Sequence, residues 1–326
     1  MRKLGKNFIA AVIFWAVSAS PLYAATYKIA NVLTPTHPYN VSLQKFAEDI
    51  KAESSGRIQF EILHSGVLGG DVEQLTQVIA GSLDSVVMGG VSVFQNFNKK
   101  SGVEELPFLF KDLETARQAY DGEFGQKINE EIIVPLGLVP LGYMENGLRH
   151  FTNSKRPIVK PADMKGIKFR SGVSPIRIEM FRLLDAQAVS MAFPELFTGL
   201  QQGTVDGQEN PLAIIYSSKF YEVQKYLSMS GHIYNSGPII FNKKIWEAMP
   251  GEDQELIRKH MNAAIAYGRQ LNSQADKELY DKLTAAGMQI NEIDRAAFLQ
   301  IVQPIYKNGE KQFGAELMRA ALKYAK

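Results

Sequence analysis

The chain contains no cysteine. Disulfides, thiolate zinc sites and a lipidated cysteine anchor are therefore excluded together, and stability outside the cytoplasm has to come from the packed core. Histidine is sparse: His37, His64, His150, His232 and His260 are scattered, and none stands four residues from another, which argues against a metal site. No G-x-S-x-G elbow, P-loop or G-x-G-x-x-G turn occurs. The nearest glycine-rich stretch, "GVLGG" at 66–70, reads as a strand-to-helix connection. No cofactor is expected.

Long apolar runs are lacking as well. The strongest, "FIAAVIFWAV" at 8–17, is ten residues long, against the about 20 needed to cross a bilayer. Arg2, Lys3 and Lys6 precede it and "SPLYA" follows, the layout of a secretory signal, with cleavage expected after Ala24 and export to the periplasm. A charge excess of one sign is also missing. The formal charge is +2, but those three basic residues leave with the signal, so 33 basic groups then face 34 acidic ones. A near-neutral exported chain has no basic footprint for nucleic acid.

What is present is length and rhythm. At 326 residues the chain exceeds what one compact core usually holds, so two lobes are expected. From residue 27, short strand-like runs alternate with helical ones, the mark of an α/β fold. "YKIANVL", "RIQFEIL", "SVVMGG", "LVPLGYM", "GIKFRSG" and "GPIIFN" read as strands. Asp71 is placed to cap the helix in "GDVEQLTQVIAG", Ser174-Pro175 opens another, and "LAIIYSSKFYEVQKYL" reads as a further helix. From about Glu252 to Ala286 there is no proline, one glycine and a helical apolar repeat. That predicts a helix of about 50 Å, long enough to run across both lobes.

One polar insert stands out, "GTVDGQENPLAII" at 203–215. Asp206, Gln208 and Asn210 have the first three spacings of a calcium loop, but Pro211 replaces the required glycine and Ser217 the bidentate glutamate. Asp206 and Glu209 sit three apart on one segment and cannot readily flank a glycosidic bond. A solvated turn or one wall of a pocket remains.

The segments "NGLRHFTNS", "PADMKGIKFR", "AFPELFTGLQQGTVDGQENP" and "KFYEVQKYL", in this order, resemble the solute-binding proteins of TRAP transporters. "HPYN", "SGRIQFEILHSGVLGG" and "GSLDSVVMGG" extend the resemblance over essentially the whole chain after the signal. It implies a two-lobed periplasmic binding protein fold of the Venus-flytrap type, with crossing segments and a long C-terminal helix spanning both lobes. On that plan, 25–147 with 236–275 form the first lobe and 148–235 with 276–326 the second. It also implies a monomeric receptor, not an enzyme, which delivers a small carboxylate to the small and large membrane subunits of a TRAP permease.

The resemblance makes Arg170, at the end of "GIKFR", the carboxylate-binding arginine, and a strand-end guanidinium suits that role because its planar fork matches a carboxylate bidentately. Arg149 matches a second arginine directed at the same ligand, Asn210 the amide that hydrogen-bonds it, and Phe193 an aromatic that packs on its carbon face. Asp71, Gly89, His232 and His37 match positions that can touch it. Asp206, Gln208 and Glu209 are expected to hold the segment in shape. Sialic-acid binders of the family carry an acidic residue where Gly89 stands and a basic one where Ser92 stands, so the neighbourhood points instead to a sugar acid such as a hexuronate. C4-dicarboxylates, an exported sugar-acid lyase or hydrolase, and the periplasmic partner of a sensor kinase are the alternatives.

Overall fold

Successive side chains of a strand point to opposite faces, and this separates neighbouring residues into two apolar cores. Ala30, Val86 and Ile240 join one; Ile29, Val87 and Ile239 join the other. The computed structural model in which these cores form describes residues 24–172 and 174–325, so the expected signal segment falls, Ala24 apart, outside the described residues. In chain order the elements are β1 (Ala25–Ala30), α1 (Pro38–Glu53), β2 (Ile58–Leu63), α2 (Asp71–Ala80), β3 (Ser85–Val87), α3 (Leu113–Asp121), α4 (Glu123–Ile128), β4 (Leu138–Asn153), β5 (Lys168–Ser171), α5 (Pro175–Leu183), β6 (Gln187–Ser190), α6 (Leu196–Gln201) and β7 (Gly207–Asn210). They continue through α7 (Leu212–Ser217), β8 (Tyr226–Asn242), α8 (Lys243–Glu247), α9 (Gly251–Ala285), β9 (Gln289–Glu292), α10 (Arg295–Lys307), α11 (Gly309–Phe313) and α12 (Ala315–Leu322).

The strand order is β2-β1-β3-β8-β4-β7-β5-β6, with β9 paired to β8. The first three strands form one lobe and β7, β5 and β6 the other. The antiparallel pair of β4 and β8 runs through both. These two strands are much longer than the short runs expected from sequence. Pro140, Gly142 and Gly147 look like strand breakers but mark register shifts, at Pro140/Gly142 and Glu145/Gly147, where the pair bends without ending. Bulges of this kind let one ribbon serve as a crossing between lobes.

The long helix is present as α9, 35 residues that pack on α1 and β4 at one end and on α7 at the other. Two expectations need correction. The helix expected over 212–227 ends at Ser217, because Lys219 takes a left-handed conformation (φ 57°) and Tyr226 already begins β8. The C-terminal segment is shared between lobes: β9 pairs with β8 and α10 packs on α5, but α11 and α12 return to the 99–105 turn and α4 of the first lobe. The second lobe as expected, with all of 276–326, therefore does not describe the last two helices. No helix among the described residues is long and apolar enough to cross a membrane.

Candidate functional site

Parallel strands deliver their carboxyl ends to one crevice, where ligands of open α/β sheets bind. Here β1 ends towards Val32 and Leu33, β3 towards Gly89, β5 at Arg170 and Gly172, β6 at Ser190 and Met191, and β7 at Asn210. All of them line one cavity of about 380 Å³ between the lobes. The crossing strands add Asn146 and Arg149 from β4 and Asn235 from β8. At its mouth the lobes touch: a Cβ on Gly66, at the start of the "GVLGG" stretch, would come within 2.8 Å of Pro194 Cγ. With φ at +67° as well, this position suits glycine.

Three arginines line the cavity, and their surroundings differ. Arg149 is 3% exposed and directs Nε and Nη2 at the Glu209 carboxylate, Nη2 at 3.0 Å from Oε1, with a further bond to the Glu209 carbonyl. Arg177 donates Nε to Glu105 Oε2 at 2.7 Å and Nη1 to Glu209 Oε1 at 2.8 Å. Arg170 is 6% exposed, and its Nε donates to the Met191 carbonyl at 2.9 Å. Among the described residues no carboxylate oxygen lies within salt-bridge distance of it. Its guanidinium carbon stands 5.8 Å from the centre of the Phe193 ring.

The electrostatics follow from this. Burial pushes the Arg170 value down to about 10, reinforced by the like charges of Arg149 and Arg177, so it stays a cation at neutral pH in want of an anion. Burial alone would raise Glu209, but Arg149 and Arg177, with the His232 ring nitrogen 3.4 Å away, outweigh it and hold the carboxyl well below the usual range. Glu209 is thus an anion fully enclosed by donors, as a buried charge must be.

The expected site residues divide into two groups. Arg170, Arg149, Asn210, Phe193, Asp71 and Gly89 are brought together on the cavity wall. Asn210 presents an amide whose Nδ2 is held by Gln208. Asp71 is not a helix cap: Gly70 holds that position, and the Asp71 carboxylate accepts the Gly89 N–H at 2.9 Å, tying α2 to the loop after β3. His232 and His37 are not among the lining residues. His232 lies behind the wall, stacked on Phe151 at 4.0 Å and bonded to Ser230. His37 is the N-cap of α1, its Nδ1 accepting from Tyr39 N, and burial lowers it to about 3. Both serve the scaffold.

The "GQEN" segment is neither turn nor loop; it is strand β7, buried along its length. Gln208 donates to Thr152 Oγ1, and Asp206 accepts the Lys168 N–H, which is the shape-holding role expected of them. Arg177, Glu105 and Asn146 were missed. Their signal was present: Arg177 shares the buried stripe of Met180, Phe181 and Leu184 at helical spacing, and Glu105 sits between the buried Val103 and Leu106.

A two-lobed α/β body whose cleft holds a buried guanidinium with no carboxylate partner among the described residues is suited to receive a small anion. Comparison with known proteins narrows the class. Residues 29–312 match the model of the bacterial extracellular solute-binding protein family 7 (DctP), and the chain belongs to that family. It is 33% identical over 293 residues to a solute-binding protein of Verminephrobacter eiseniae, covering 89% of this chain and 87% of that one. It is 30% identical over 310 residues to the 2,3-diketo-L-gulonate-binding periplasmic protein of Escherichia coli, covering 94% of each. Among solved structures, a TRAP periplasmic solute-binding protein from Polaromonas bound to D-erythronate superposes with a TM-score of 0.87 at 34% identity, over 91% of this chain and 98% of that one. The sugar acid binding protein of Advenella mimigardefordensis in complex with galactonate gives 0.89 at 30%, over 93% and 98%. The chain is a TRAP transporter solute-binding protein, a receptor and not an enzyme, of a periplasmic family that takes small carboxylates and works with membrane permease subunits.

Proposed function

We propose that the cleft captures a sugar acid of the aldonate or hexuronate kind, with Arg170 as the anchor for its carboxylate. The observation that carries this reading is the buried Arg170 guanidinium, which faces a cavity of about 380 Å³ and has no carboxylate partner among the described residues. Charge-assisted bidentate bonds strengthen once water is excluded. Arg149 and Asn210 orient the solute beside Arg170, and Phe193 covers its carbon face. Asp71 and Gly89 approach from the first lobe. Binding energy that favours the closed state over the open one then shifts the population towards closure, which is what lets a permease separate loaded receptor from empty.

Ligands of the relatives support the substrate class. Solved structures similar to this chain hold D-erythronate, galactonate, galacturonate and glucuronate, though others hold succinate. Gly89 and Ser92, both on the wall, lack the charges that the resemblance assigns to sialate binders. We also propose that residues 1–24 are a signal removed on export to the periplasm. The cleft is completed within one chain, which supports a monomeric receptor, and the near-neutral charge of the exported chain supports the absence of a nucleic-acid partner. The lobe boundaries near 147 and 235 fall on the crossing strands and are proposed as the hinge.

A thermal-shift panel of aldonates, hexuronates and dicarboxylates tests the substrate class. A ligand at 100 times its dissociation constant adds about 2.7 kcal/mol, and a sugar acid is expected to give the largest shift. A panel in which only neutral sugars or cations raise the melting temperature overturns the reading.

A further inference from the structure

The charge of the exported chain is near zero only as a sum. Residues 25–147 hold 9 basic groups against 16 acidic ones, and residues 148–235 hold 11 against 7. Much of the second-lobe excess lies away from the cleft, with five basic residues and one acid within 155–168. Strand β5 carries Arg170 towards the cleft and Lys168 at its other end, and the contacts gather further cations there. Lys155 Nζ lies 3.0 Å from Asp206 Oδ1, and Asp206 Oδ2 accepts the Lys168 N–H at 3.0 Å. Arg156 donates to the carbonyls of Asp163 and Lys165, and the Lys225 N–H donates to the Asn153 carbonyl. Lys155, Arg156, Lys160, Lys165, Lys168 and Lys225 are all exposed, and none lines the cleft. The acids among them are few: Asp163 accepts the Val159 and Lys160 N–H groups, Asp206 is held by Lys155 and Lys168, and Asp185 adjoins Gly166. Among the described residues Lys160, Lys165, Lys168 and Lys225 have no carboxylate within ion-pair distance.

We infer that this far face of the second lobe is a contact for a membrane surface carrying anionic lipid, and that it brings the receptor to the bilayer with the acidic first lobe turned away and the cleft left free. Each lysine or arginine near such a surface adds an attraction that fades within a Debye length, so several together give weak, reversible adsorption. Val159 stands 48% exposed among the cations, and an apolar side chain ringed by positive charge suits the headgroup layer. The separation of charge between the lobes supplies the orientation, which a near-neutral chain with evenly mixed charges would lack. Adsorption of this kind confines the search for a membrane partner to the bilayer surface. The inference does not depend on the sugar-acid reading, because it uses no residue of the cleft.

Sedimentation of the exported form with lipid vesicles tests this. At about 0.01 M salt, where the Debye length is about 30 Å, vesicles mixing phosphatidylglycerol into phosphatidylcholine are expected to carry the protein down, and pure phosphatidylcholine vesicles are not. At about 1 M salt, where that length is about 3 Å, the binding should be lost. Lys160→Gln, Lys165→Gln and Lys168→Gln together are expected to lower the partition coefficient by about a hundredfold, with galactonate affinity unchanged. Lys45→Gln, Lys51→Gln and Lys99→Gln remove the same charge from exposed positions of the first lobe and should leave partitioning nearly unaltered. Equal losses in the two triple variants, equal binding to both kinds of vesicle, or no binding to the anionic ones overturns the inference. Retention on poly-glutamate without sedimentation on anionic vesicles assigns the face to an acidic protein and overturns it as well. The lipid and salt comparisons need no variant, so the test survives a triple variant that fails to fold. A failure to bind galactonate bears on the sugar-acid reading alone.

Discussion

The two walls of the cleft differ in sign and in how they are held. The second-lobe wall carries all three guanidiniums: Arg149 and Arg177 are fixed by the buried Glu209 and Glu105, and Arg170 is held through its Nε by the Met191 carbonyl. The first-lobe wall brings Asp71, Glu73 and the backbone around Gly89, joined by one hydrogen bond of 2.9 Å. The difference fits the proposed function, with the charged face as the anchor for the solute and the lighter face closing over it.

Removing the keystone of the charged face should have the largest effect. Glu209→Ala leaves Arg149 and Arg177 short of a buried partner, and breaking such a pair costs about 3–5 kcal/mol, to be read from denaturant unfolding. The pH dependence has the same origin. The Glu209 value is depressed in the folded state, so the unfolded chain binds the extra proton and stability is lost as pH falls below the ordinary 4.5. His37, lowered to about 3 by burial, starts the same loss earlier, below its ordinary 6.5. Melting temperatures that do not fall between the ordinary carboxyl value of 4.5 and about pH 3 would contradict both assignments.

Arg170→Ala comes next, with an expected loss of about 2–5 kcal/mol in sugar-acid affinity and little change in stability. Retention of full affinity by this variant would remove the anchor and the asymmetry with it. At the mouth, Gly66→Ala has to hold a left-handed residue against Pro194, at about 1–2 kcal/mol. Because the contact is made between the lobes, affinity should fall by about tenfold while unfolding of the ligand-free protein changes less. The smallest effect is expected from Asp71→Asn, which weakens one hydrogen bond to Gly89 and should cost about 1 kcal/mol in binding. If that variant proved more damaging than Arg170→Ala, the two walls would have to exchange roles.

Much of this asymmetry was legible in the chain, but unevenly. That Arg170, Arg149 and Asn210 share one cavity wall could be expected because they lie in contiguous, recognisable segments, and α9 could be expected because its periodicity is long and unbroken. The charge network was not found, because its pairs join distant parts of the sequence: Arg177 reaches back 72 residues to Glu105 and forward 32 to Glu209. Pattern reading treats a lone arginine or a Glu-Glu doublet as surface. Only the apolar neighbours of Arg177 and Glu105 hinted at burial. The crossing strands were cut short for a different reason, since glycine and proline mark both the end of a strand and a bulge within it. His232 and His37 illustrate the reverse error: residues in recognisable segments near the cleft can be part of its foundations without lining its wall.

The two apolar cores have a further consequence. Each draws on both lobes: Leu75 and Phe181 share one, Phe46 and Ile214 the other. Because neither core is confined to one lobe, heat is expected to melt the receptor in one cooperative step, which coincident transitions by two different probes would check. A solute gripped at the mouth then stabilises every layer of the molecule together, and occupancy of a few side chains is felt by the whole chain.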